Sequence, residues 1–132
     1  MTTHVLQATG VGHTLGEVSK ALQALHQHLL AFQADRSFFY GSPLELFDRA
    51  TKDPAFGWLV PLREAIVALD ERRADKDAPM TEEDAKAIAD EVRRLLDSED
   101  GSFRDSLNAA FQYDPEVVMA LASAKRSLAT LH

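Results

Sequence analysis

Six apolar residues, Leu15, Val18, Leu22, Leu25, Leu29 and Phe32, recur at spacings of 3, 4, 3, 4 and 3. On a helix of 3.6 residues per turn these positions form one stripe, the a/d seam of helix-to-helix packing. A strand would need a spacing of two, and nothing along the chain sustains that. The stripe has to be covered by other helices or by a second copy of the chain. The expected fold class is therefore all-α, a compact helical bundle of five to six helices. A chain of 132 residues makes one ordinary domain. At that size folding buries roughly two thirds of the unfolded surface, enough for one core without cross-links. With no cysteine, disulfides, thiolate metal sites and cysteine nucleophiles are excluded.

Capping residues divide the chain. Thr14, with Glu17 three residues on, has capping-box spacing and predicts a helix from 14 to about 38, ending before Gly41. Residues 1–13 lack a clear period and are expected to be a flexible leader, with 14–132 a single helical domain. Ser42-Pro43, Asp53-Pro54 and Asp114-Pro115 each place a capping side chain before a proline, whose missing N–H is harmless in a first turn. After Ser42, the residues expected inside are Leu44, Phe47 and Ala50 or Thr51. Pro61 predicts a break near Val60, then a helix carrying Leu62, Ile66 and Leu69. Thr81 is expected to cap a helix with Ala85, Ile88, Ala89, Val92, Leu95 and Leu96 inward and with i,i+4 pairs Glu82–Lys86 and Asp90–Arg94 outward. Ser102 is expected to cap a helix holding Phe103, Leu107, Ala110 and Phe111. The last helix carries Val117, Leu121, Ala124, Leu128 and Leu131.

Charge narrows the partners. Fourteen Lys and Arg stand against 21 Asp and Glu, a net −7 with neutral histidines. Residues 70–105 hold 13 acids and 7 bases, so 13 − 7 leaves −6 of that excess in this one stretch. A phosphate backbone or an anionic membrane surface would be repelled, so nucleic acid and membrane are not expected partners. No apolar run of eighteen residues and no signal-peptide pattern is present, which points to a cytoplasmic location.

Motifs for chemistry are sparse. The serine elbow, the phosphate-binding glycine loops, Glu-x-x-His and His-Glu-x-x-His are all missing. No catalytic residue and no cofactor is assigned. His26 and His28, about 200° apart on a helix, flank the seam at e and g and cannot easily share a metal. The structural reading rests each ring on the core edge; the functional reading makes His26 a weak metal ligand or, less well supported, a phosphotransfer site. Phe38, Phe39, Tyr40, Phe47, Phe56 and Trp58 put six of the ten aromatic residues within 21 positions. They either fill a core where short helices cross or anchor a partner, with Arg36, Arg49 and Arg63 nearby.

The string Asp53-Pro-Ala-Phe-Gly-Trp-Leu-Val-Pro-Leu62, with Leu22, His26, Leu29 and Leu30 upstream, resembles a group of small bacterial proteins without an assigned function. The resemblance implies a small helical cytosolic protein and supplies no catalytic residues. The function expected is a non-enzymatic bundle that acts by protein–protein contact, as a homodimer, with His26, His28, Phe39, Tyr40 and Trp58 as interaction candidates. The alternative is a small-ligand or metal pocket between helices, using His26 with Glu64, Asp70 or another inward polar group.

Overall fold

The computed structural model describes residues 2–131, with side chains described from His13 onward. Six α-helices follow one another: α1 (Thr2–Arg36), α2 (Pro43–Lys52), α3 (Val60–Ala74), α4 (Glu82–Leu96), α5 (Ser102–Tyr113) and α6 (Pro115–Leu128). A 3-10 segment, Pro54–Leu59, links α2 to α3. No strand occurs among the described residues, and no helix there is long and apolar enough to cross a membrane.

All six seam residues of α1 are buried, at most 5% exposed. The long helices that cover the row most fully are α6 and α3, and α4, α5 and the 3-10 segment complete the wall. Leu62 and Leu69 of α3, Ala85, Ala89, Val92 and Leu96 of α4, and Val117, Leu121, Ala124 and Leu128 of α6 meet it in one core. Ile66, Ile88 and Leu95, expected inside, are half-buried at its edge.

The helix starts follow local chemistry. The Ser42 hydroxyl accepts from the Glu45 amide at 3.2 Å, and the Glu45 carboxylate reaches back to the Ser42 amide. The Thr81–Asp84 pair closes the same box on α4. The Asp53 and Asp114 carboxylates each accept from the amide two residues on, at 2.9 Å. Pro61 sits in the first turn of α3, so the expected break near Val60 is present.

Several expectations need correction. Thr14 is interior to α1, which begins at Thr2, so it opens no helix. The flexible leader expected at the start falls on residues whose side chains lie outside the described set, apart from His13. Ser102 does not cap α5: Gly101 occupies the cap at φ +98°, a conformation that needs glycine. The Asp90 carboxylate pairs with Arg93 at 2.8 Å, one residue short of the expected i,i+4 partner Arg94. Leu44 and Phe47 face outward, and α2 buries no residue completely; Leu46 and Ala50, four apart, form its inner face.

The carbonyls left over at helix ends have partners of their own. Arg104 donates to the carbonyl of Leu96, the last residue of α4, and to that of Ser98 just beyond it. Arg93 donates to those of Leu128 and Leu131 at the end of α6. Arg72 donates to Ala78 and Pro79 in the α3–α4 turn.

Replacing Leu25, which is fully buried, by alanine removes its side chain from the centre of the row. Leu25→Ala is expected to lower unfolding stability by about 2–5 kcal/mol. Urea denaturation checks this, and a loss under about 0.5 kcal/mol, the usual surface scale, would put Leu25 outside the core.

Candidate interaction surface

α1 ends in an unusual way. Phe38 has φ +55°, the one left-handed non-glycine residue among those described. The Phe39 amide donates to the Ala34 carbonyl at 2.9 Å and the Phe38 amide to Asp35 at 3.1 Å. Those two bonds make a Schellman closure, whose left-handed position is usually glycine. A phenylalanine there carries the steric cost of a Cβ crowding the backbone. Its ring recovers little by packing, since Phe38 is 80% exposed.

The same face continues into α2. Tyr40 is 81% exposed, Leu44 78% and Phe47 64%. Phe39 turns partly inward, with the Arg49 guanidinium stacked 5.5 Å from its ring centre. Leu44, Phe47, Phe39 and Arg49 border a shallow trough of about 550 Å³. Tyr113, also exposed, donates its phenol hydrogen bond to Asp35. That bond to Asp35, with desolvation and the nearby Asp114 and Tyr40, holds the Tyr113 pKa above the ordinary tyrosine value. Phe38, Tyr40, Leu44 and Phe47 thus leave four large apolar side chains in water within ten residues.

The aromatic group expected as one unit divides in two. Phe56 and Trp58 belong to the core. The Trp58 indole N–H donates to the Gln33 carbonyl oxygen at 2.8 Å in a buried bond, and its ring lies 6.4 Å from Phe32 and 6.1 Å from Phe103. Trp58, an expected interaction residue, is therefore closed to a partner. Gln33 escaped notice because an e-position glutamine on a seam helix ordinarily faces water. Leu44 and Phe47 were expected on the inner face because α2 is only ten residues long, and two and a half turns allow two readings of that face; for Phe47 the anchor alternative is the one that matches its exposure.

His26 and His28 are half-buried at the edge of the row, as their e and g positions imply. His28 Nδ1 stands 3.5 Å from an oxygen of Asp114, the α6 cap. Burial, with the Arg63 charge nearby, holds the His26 pKa below the ordinary value. Asp70, proposed as its partner, is engaged elsewhere: it accepts from Ser19 at 2.6 Å and from Gln23 at 3.4 Å and pairs with Arg73. Glu64 faces the gap between α3 and α4. Among the described residues no three His, Asp or Glu side chains come together to hold a metal ion.

The chain matches no known protein family, no curated protein and no solved structure.

Two outcomes follow. Phe38→Gly is expected to raise unfolding stability by about 1 kcal/mol, because glycine accepts the left-handed conformation without the Cβ clash. Chemical denaturation checks it, and a loss of similar size would mean that the Phe38 ring packs in solution. For His26, the folded pKa lies below the ordinary 6.5. As pH falls through 6.5 the unfolded chain takes up the proton first, so this part of the stability is complete above 6.5 and is lost through the window below it. Denaturation midpoints between pH 7.5 and 5 should fall less steeply in His26→Gln than in the wild type; equal slopes would remove His26 as the cause.

Proposed function

We propose that this protein is a non-enzymatic helical binding module that pairs with a second copy of itself through the exposed face of the α1–α2 turn and α2. The observation that carries this reading is Phe38. Its ring is exposed, in a backbone conformation that glycine would adopt at lower cost. A side chain that weakens the fold at a surface position is explained by what it touches outside the molecule.

The charges around this face favour a like partner. Residues 38–53 contain three acids, Glu45, Asp48 and Asp53, and two bases, Arg49 and Lys52, a net −1. Each sign is present beside the apolar centre, and Asp48 pairs with Lys52 at 2.7 Å. A two-fold axis brings each residue opposite its neighbours on an identical patch, so a mixed rim can complement itself. The segment 70–105, at −6, would repel its own copy. A cytoplasmic location, and kinship with small bacterial helical proteins on the strength of the Asp53–Leu62 string, belong to the same proposal. Most of that string has structural work: Asp53 caps, Phe56, Trp58 and Leu59 are core, and Pro61 lies in the first turn of α3.

The alternative reading, a metal held by His26, is disfavoured by the Arg63 charge beside that ring. A cation arriving there would meet repulsion on top of the burial cost.

Sedimentation equilibrium tests the pairing. The wild type is expected to be a dimer at tens of micromolar, an ordinary concentration for an exposed apolar patch of this kind. Phe47→Glu is expected to give a monomer with unchanged helical dichroism. A wild type that stays monomeric at every concentration, or a dimer indifferent to Phe47→Glu, would overturn the reading.

A further inference from the structure

A second surface, sharing no residue with the α1–α2 face, lies between α3 and α4. The two helices form an antiparallel hairpin: Arg72 meets Asp84 at the turn end, and Pro61 and Leu95 line the far end. From Pro61 to Arg72 the helix rises about 16 Å, some three turns. The trough along this length has a volume of about 610 Å³. Its floor is Leu69 and Val92, both buried, with Ile88 and Leu95 half-buried beside them. Ile88, Val92 and Leu95 follow a spacing of 4 and 3, the helical stripe that a third helix would pack against. Ala65, Ala68 and Ala87 line the walls, and their short side chains leave the gap that longer residues would fill.

Charge limits what can lie there. The Arg72 guanidinium is committed to Asp84 at 2.5 Å and to two backbone carbonyls. The remaining charged residues of the trough are Glu64 on the α3 wall and Glu91 on the α4 wall, and among the described residues neither makes an ion pair. Both walls thus present a free carboxylate above an apolar floor, and the α4 wall lies within the stretch 70–105 that carries −6. A fatty acid or a phosphate headgroup would be repelled by both rims. A second copy of the α3–α4 face would bring acid against acid.

We propose that the α3–α4 trough is the seat of an amphipathic helix from a different protein. The partner's apolar stripe lies on Leu69, Ile88, Val92 and Leu95, and its flanking Lys or Arg side chains reach Glu64 and Glu91. This is helix-in-groove recognition: the apolar stripe supplies burial, and the two carboxylates select sign and orientation. The self-association reading can fail without touching it, because the two surfaces lie on different helices.

The test uses two synthetic helical peptides of about 16 residues, long enough to span the trough. They share one leucine stripe and differ only in lysine or glutamate flanks. Each is titrated into the full-length ¹⁵N-labelled protein. The lysine peptide is expected to shift the amides of Ala65, Ala68, Ala87 and Glu91 and to bind at least about tenfold more tightly than its glutamate twin. In the double variant Glu64→Lys/Glu91→Lys that preference is expected to reverse. Ala68 and Ala87 are exposed, so Ala68→Leu and Ala87→Leu fill the trough from its rim and are expected to weaken both peptides. Should a leucine variant lose helical dichroism, the charge-reversal comparison decides alone. Equal binding of the twins, or shifts confined to α2, overturns the proposal. So does an assembly mass that falls in Ala87→Leu, which would make a second copy of this chain the occupant.

Discussion

The structure depends on keeping the α1 leucine row away from water. Leu15, Leu22, Leu25 and Leu29 are each fully buried, and fully burying a leucine contributes about 1.5–3 kcal/mol. No single neighbour can cover a stripe that long. α6 and α3 each lie along it, α4 packs against both, and α4 and α5 close the remaining gaps. The positions of α3, α4, α5 and α6 are referred to this row, while α2 packs on the 3-10 segment.

Polar groups complete the packing at its margins. At the α1 C-terminal end, Gln33 accepts from the Trp58 indole and donates to Ser37, so a buried amide sits among rings without an unmet hydrogen bond. At the other end Ser19, buried on α1, donates to Asp70 of α3. Arg72, Arg93 and Arg104 bind the carbonyls that helix ends and turns leave over. Chain direction is thereby fixed by hydrogen bonds, while the hydrophobic row fixes which faces meet.

Stability and use part company at the surface. A glycine at position 38 would suit the α1 terminus better, and polar residues at 44 and 47 would suit α2 better. The chain carries Phe38, Leu44 and Phe47 there, and all three are exposed. The α3–α4 hairpin shows a milder form of the same conflict: Ile88 and Leu95 reach the core only in part, because alanines across from them leave the hairpin open.

Much of the fold could be read from residue order. The 3-4 row demanded a buried helix; the Ser-Pro and Asp-Pro pairs and the Thr81–Asp84 box located three helix starts and the 3-10 turn. These are legible because capping and amphipathic spacing act within a few residues. The surfaces were not legible in the same way. Whether Phe56 or Phe38 is buried turns on which helix lies opposite, and a ring has the same composition in either place. The register of α2 was open because ten residues carry too few turns to define one face. The gap between α3 and α4 arises only when two alanine-bearing faces meet across a hairpin. The sequence by itself determined where the capped helices α2, α4 and α6 begin and which long stripe needs burial, since those are local matters of hydrogen bonding and period. Tertiary structure alone decided which rings stay in water and where space remains, because both depend on how distant helices divide a limited interior.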